Sequence, residues 1–159
     1  MSGLVSGLIA AVVVYGAYRF LRPSAGVAFE RDDPRLLAAK QEAVAALPQF
    51  WEAREAKAQG DEDFAIKFNL LHGTDSANNE SIWAGDVVRR EGRIFGRLLN
   101  RPVSPGFAEG DEVEIAPEAI DDWGFYRGGV AQGHFVTRLM LESAPAGVAR
   151  QQRKVLGWD

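Results

Sequence analysis

The chain has no cysteine. That excludes disulfides, thiolate metal sites, a cysteine nucleophile and a lipoprotein-type cysteine anchor. Histidine is almost as scarce: only His72 and His134 occur, far apart and in no short ligand spacing such as HxxxH. No metal site and no cofactor are therefore expected. Positive charge is not in excess. The formal charge of the 159 residues is −4, so nucleic acid is not an expected partner of the chain as a whole. No G-x-S-x-G elbow is present, and Ser76, Ser81 and Ser104 have no base in an activating pattern. "GRIFGR" is no phosphate loop, and "GGVAQG" is read as following no buried parallel strand and opening no helix. Internal repeats and low-complexity tracts are also missing.

What is present is an ordinary globular composition, 47% hydrophobic and 25% charged, with room for one domain. The first 22 residues, "MSGLVSGLIAAVVVYGAYRFLR", stand apart because no charged side chain precedes Arg19. Eighteen residues rise roughly 27 Å as a helix, close to the ~30 Å of bilayer hydrocarbon. Tyr15, Tyr18 and Phe20 lie at one end, where amphipathic rings favour the interface. The run predicts a single transmembrane helix, with residues 4–21 in the lipid bilayer. Gly3 and Gly7 form a GxxxG pair that would let two copies approach as a homodimer. Arg19 and Arg22 follow the run, which by the positive-inside rule places the soluble domain in the cytoplasm. The alternative is a cleaved secretory signal and a periplasmic domain, but such signals carry their basic residues before the apolar run.

Residues 23–33 read as a linker and 34–159 as a soluble α+β domain. Asp33 and Pro34 are an N-cap and a first helical position. Leu36, Leu37, Lys40, Ala43, Val44 and Leu47 follow near helical spacing. Pro48 is expected to interrupt this helix, and a second is expected to run to Gly60, with Phe50 and Trp51 docked on the domain. Beyond Gly60 the period changes to two. "DFAIKFNLL", "SIWAGDVVRR", "RIFGRLLN" and "DEVEIA" read as strands, the middle pair joined as a hairpin by "EG". "PEAIDDWGFYRGGVAQG" is expected to be irregular, "HFVTRLMLE" a closing strand and the tail a short helix. The fold class is one or two helices with a small, strongly twisted antiparallel sheet or partial barrel.

The densest stretch is "AIDDWGFYRGGVAQGHFVTR". Asp121 and Asp122 are adjacent, so on a strand they point to opposite faces, a poor design for a carboxylate dyad. One is expected to accept backbone N–H bonds from the following turn, the other to face water or pair with Arg127 or Arg138. Trp123 reads as a buried anchor whose indole N–H seeks an oxygen. No catalytic residue is assigned; Asp121, Asp122, Trp123, His134 and Arg138 are the ligand-contact candidates. Arg89, Arg90, Arg93, Arg97 and Arg101 cluster near the hairpin, yet alternate between faces and form no continuous basic stripe.

From Phe64 to Leu139, about half the chain, an ordered set of short matches carries a resemblance. It comprises Glu80-Ser81-Ile82-Trp83, Gly96-Arg97-Leu98-Leu99-Asn100 with Pro102, and Gly110-Asp111 with Val113. Ile120-Asp121-Asp122-Trp123, Gly129, Gly133, Phe135 and Arg138 complete it. The segment resembles a family of bacterial domains of unknown function that includes the YegJ-like proteins. The resemblance implies a compact α+β domain and no reaction.

These readings converge on a membrane-anchored, non-enzymatic binding or interaction module. The alternatives are a hydrolase with a site in the Trp123–His134 turn, or a small immunity-type protein that neutralises a partner by binding it. Alkaline carbonate washing of membranes tests the anchor. The intact chain is expected to stay in the pellet; its release into the soluble fraction would contradict a spanning helix.

Overall fold

A computed structural model describes residues 29–159. The apolar run, its Gly3–Gly7 pair and most of the expected linker lie outside the described residues. Among the described residues no helix is long and apolar enough to cross a membrane.

The domain opens with α1 (Pro34–Ala56). Its start is as expected: Asp33 accepts a hydrogen bond from the Arg35 amide at 2.8 Å, with Pro34 at the first turn. Pro48, however, lies inside one continuous helix and does not divide it. Proline removes the donor for the carbonyl four residues earlier, that of Val44. Val44 is solvent-exposed, so water can replace the lost bond. The helix ends at Ala56 with Lys57 left-handed, ahead of the expected stop at Gly60. Its buried stripe is also rotated from the expected one. Ala39, Ala43, Phe50, Trp51 and Ala53 face inward, while Leu37 and Val44 face out. Alanine at position 43 is what permits close approach to Trp123, as described below.

Six strands follow: β1 (Asp61–Asn69), β2 (Ser81–Arg90), β3 (Arg93–Leu98), β4 (Glu112–Ile115), β5 (Ile120–Arg127) and β6 (Val130–Gly133). All neighbours pair antiparallel in one sheet, in the order β4-β3-β2-β1-β5-β6. The sheet is open, with β4 and β6 at its edges. Glu91 and Gly92 close the β2–β3 hairpin with φ of 51° and 76°, as the "EG" pair suggests for a turn needing two positive φ angles.

Two expectations fail between Ile120 and Glu142. The stretch expected to be irregular is the β5–β6 hairpin, turned at Gly128 and Gly129. β5 is buried from Asp122 through Tyr126, so it lacks the alternation that marks a one-sided strand. "HFVTRLMLE" is not a strand but supplies α2 (Phe135–Glu142), so "GGVAQG" does lead into a helix. Its aromatic and β-branched residues suit a strand. A carboxylate on β5 overrides them by capping the helix. The tail forms α3 (Ala146–Val155), near where a short helix is expected.

Both faces of the sheet are covered. On one, Phe50 and Trp51 of α1 pack with Ile66, Phe68, Ile82 and Trp123. On the other, Leu141 of α2 and Leu156 after α3 pack with Ala65, Tyr126 and Ala131. Each large apolar side chain so buried contributes roughly 1.5–3 kcal/mol. The C-terminal segment also covers the β6 edge. The Ala131 amide donates to the Leu156 carbonyl at 2.8 Å, and the Trp158 indole donates to the Ala131 carbonyl at 2.9 Å.

Candidate functional site

The candidate residues gather where β5, β6 and α2 meet. Asp122 and Trp123 are successive residues of β5 and leave the sheet on opposite sides. The Trp123 indole donates to the Ala43 carbonyl of α1 at 2.7 Å and is buried against Phe50 and Phe135. The Asp122 carboxylate is fully buried. It accepts from its neighbour Trp123 at 2.9 Å, from Phe135 at 3.0 Å and from Val136 at 2.9 Å. The His134 amide just before them donates to the Trp123 carbonyl at 2.8 Å. Three consecutive amides at the start of α2 are thus satisfied by two residues of β5. A helix start leaves such donors unpaired unless something caps them. Here the cap comes from across the sheet, and His134 itself supplies no capping side chain.

This docking dictates the local backbone. Gly133 and His134 both adopt positive φ, 76° and 55°. A side chain at Gly133 would meet the Trp123 carbonyl at 2.4 Å. Gly124 has a different reason: a Cβ there would lie 2.2 Å from His134 Nε2. The missing side chain is the slot into which the imidazole packs, with Trp83, Tyr126 and Trp158 around it.

Burial pushes the Asp122 carboxyl up to about 6, against the pull of its three amide donors and of Lys67. Burial, aided by Arg138 and Lys67, drops His134 to about 3, so the ring is neutral. Asp121 sits at an irregularity of the β1–β5 pairing. It accepts from Ser81 Oγ at 2.7 Å and pairs with Lys40 of α1 at 2.9 Å. The expected pairing with Arg127 or Arg138 does not occur, because Arg127 is held by both oxygens of Asp61 at 2.8 and 2.7 Å. Arg138 instead donates through Nε to the Gly133 carbonyl at 3.0 Å, and its guanidinium lies 4.0 Å from the centroid of the Trp158 ring.

Asp122, His134 and Arg138 are therefore neighbours, while Trp123 and Asp121 turn toward α1. Among the described residues no group of three or more histidine, aspartate or glutamate side chains could hold a metal ion. The hairpin arginines are engaged too: Arg89 with Glu55, Arg90 with Glu112, Arg93 with Glu114, and Arg97 with the Gly110 carbonyl.

Sequence reasoning missed a groove of about 560 Å³ between α1 and the β5–β6–α2 corner. Trp123, Phe125 and Phe135 give it an aromatic floor, and Glu52, Gln132 and Arg138 are polar groups at its walls. It missed Lys67 as well, which pairs across the sheet with both Trp83 and Asp122. Neither has a local signal, since both depend on β5 lying beside β1 rather than β4.

A family model described as an uncharacterized protein conserved in bacteria (DUF2314) matches residues 33–159. No curated protein and no solved structure matches the chain.

The two buried titrations predict a specific pH dependence. Asp122 is raised from 3.8, so its contribution is full below pH 3.8 and lost as pH rises through 6. His134 is lowered from 6.5, so its contribution is full above pH 6.5 and lost as pH falls toward 3. Between about pH 4 and 6 their slopes oppose and cancel, each being about 1.4 kcal/mol per pH unit. In Asp122→Asn only the histidine slope remains. Urea unfolding of residues 29–159 at pH 6, 5 and 4 is expected to show the variant losing stability by about that slope relative to the parent. Parallel pH profiles would contradict the assignment.

Proposed function

We propose, for a chain that belongs to the family of uncharacterized bacterial proteins DUF2314, the role of a non-enzymatic binding module held at the cytoplasmic membrane face by its N-terminal apolar run. The likeness to YegJ-like proteins, carried by the short matches from Glu80 to Arg138, belongs to this reading. The observation that carries it is the state of Arg138 in the groove. Its Nε is tied to a backbone carbonyl and its plane rests on Trp158, so the guanidinium is already oriented. Among the described residues no carboxylate pairs with it. A fixed guanidinium with a free edge favours a planar anion, because little side-chain freedom remains to be lost on binding.

The groove's other walls narrow the partner to a peptide segment with a carboxylate beside an apolar side chain. The aromatic floor of Trp123, Phe125 and Phe135 takes the apolar group. The amides of Gln49 and Gln132 can serve peptide polar groups, and Glu52 on the α1 wall disfavours a second carboxylate there. A hydrolase in the Trp123–His134 turn has less support. Both Asp122 oxygens already accept backbone amides, and the neutral His134 ring is packed into the Gly124 slot.

Selection of a displayed library of random heptapeptides on the protein tests this reading. Enriched peptides are expected to carry Asp, Glu or a terminal carboxylate next to a large apolar residue. Their affinity is expected to fall by about tenfold or more in Arg138→Gln, the loss of one charge-assisted contact. Enrichment without an acidic preference, or equal binding by Arg138→Gln, would overturn it.

A further inference from the structure

We infer that Lys67 is a reactive amine that condenses with small carbonyl compounds, at a site separate from the groove. Lys67 lies on β1 directly across from Trp83 on β2 and Asp122 on β5. Cross-strand partners share a sheet face. Two residues earlier on that face Ala65 is fully buried, whereas Lys67 is only half-buried. The site is therefore sheltered at one end and reachable at the other. The lysine Nζ sits 6.0 Å from the centroid of the Trp83 ring.

Among the described residues no oxygen accepts a hydrogen bond from this amine. The reason lies in its two acidic neighbours. The oxygens of Asp122 are taken by three backbone amides, and Asp121 is taken by Lys40 and Ser81. Both carboxylates act on Lys67 through space without solvating its ammonium protons. Burial lowers the pKa of Lys67 and the Lys40 charge adds to the effect, while Asp122 and Asp121 oppose it. Of the other groups nearby, His134 is neutral. The outcome is an amine with an enlarged neutral fraction, the form that attacks carbonyl carbon.

The reaction requires no redox partner. The amine lone pair adds to the carbonyl carbon, and the C=O π pair moves to oxygen to give a carbinolamine. The nitrogen proton passes to solvent, and hydroxide leaves as water on taking a proton from solvent, forming the C=N bond. The Trp83 face suits an apolar substituent on the carbonyl compound, and stabilises a protonated imine through its ring quadrupole.

The chain has four lysines, Lys40, Lys57, Lys67 and Lys154, which makes the test direct. The full chain is treated with butanal and cyanoborohydride, and alkylation is followed at each lysine by peptide mass mapping. At pH 7 Lys67 is expected to react several-fold faster than the exposed Lys57 and Lys154, because burial enlarges its neutral fraction. The advantage is expected to shrink as the pH is raised well above the ordinary lysine range of about 10.4. Lys67→Arg should lose the fast phase and leave the other rates unchanged. Lys67 reacting no faster than Lys57 at pH 7 in the parent chain would overturn the inference, whatever Lys67→Arg does to folding. So would a fast phase that persists in the variant.

Discussion

Asp122 and Trp123 are neighbours on β5, and because strand side chains alternate they leave the sheet in opposite directions. Each fixes a different helix. The Trp123 indole reaches the carbonyl of Ala43 in the middle of α1, and the Asp122 carboxylate takes the first two amides of α2. The remaining features of this corner are conditions for that arrangement. Ala43 must be small so that the indole can approach. Gly133 and His134 must turn left-handed so that three amides converge on β5. Gly124 must lack a side chain so that the imidazole can lie beneath them. A buried carboxylate is costly unless its lone pairs are satisfied, and here backbone donors satisfy them.

The same economy of groups separates structure from function. A side chain whose hydrogen bonds are complete inside the fold has little capacity left for a ligand or a proton transfer. The carboxylates of Asp122 and Asp121 and the indole N–H of Trp123 are in that condition, although they form the most conspicuous polar cluster of the chain. Arg138 and Lys67 are not. Among the described residues one is an oriented guanidinium without a carboxylate partner, the other an amine without an acceptor. They lie around the same corner because the backbone amides of α2 occupy the carboxylate that would otherwise pair with them.

Much of the fold was legible in the sequence where order in the chain and order in space coincide. The helix start at Asp33–Pro34 and the β2–β3 hairpin with its Glu91–Gly92 turn depend on residues within a few positions of one another. The opposed aspartates and the indole's need for an oxygen also follow from local stereochemistry. What was illegible depends on β5 returning to β1 across an intervening hairpin and β4. That pairing buries β5 on both faces and erases its alternation. It also seats Lys67 between Trp83 and Asp122, contacts to which no spacing in the chain points. The β5–β6 hairpin, with Gly124 opposite Gly133, then brings Asp122 to residues 135 and 136, which turns a strand-like sequence into α2. Pro48 was misread for a related reason: its effect on α1 depends on whether the Val44 carbonyl faces water or the core.

Urea unfolding of residues 29–159 carrying Asp122→Ala or Asp121→Ala, side by side at neutral pH, tests the central claim most directly. Losing the Asp122 carboxylate strips an N-terminal cap and leaves buried amides without acceptors, at about 3–5 kcal/mol in all. Losing Asp121 breaks a mostly sheltered but peripheral ion pair and hydroxyl contact, at about 1 kcal/mol. The account predicts a midpoint that falls far more for Asp122→Ala than for Asp121→Ala. Equal small shifts, or the reverse order, would contradict it.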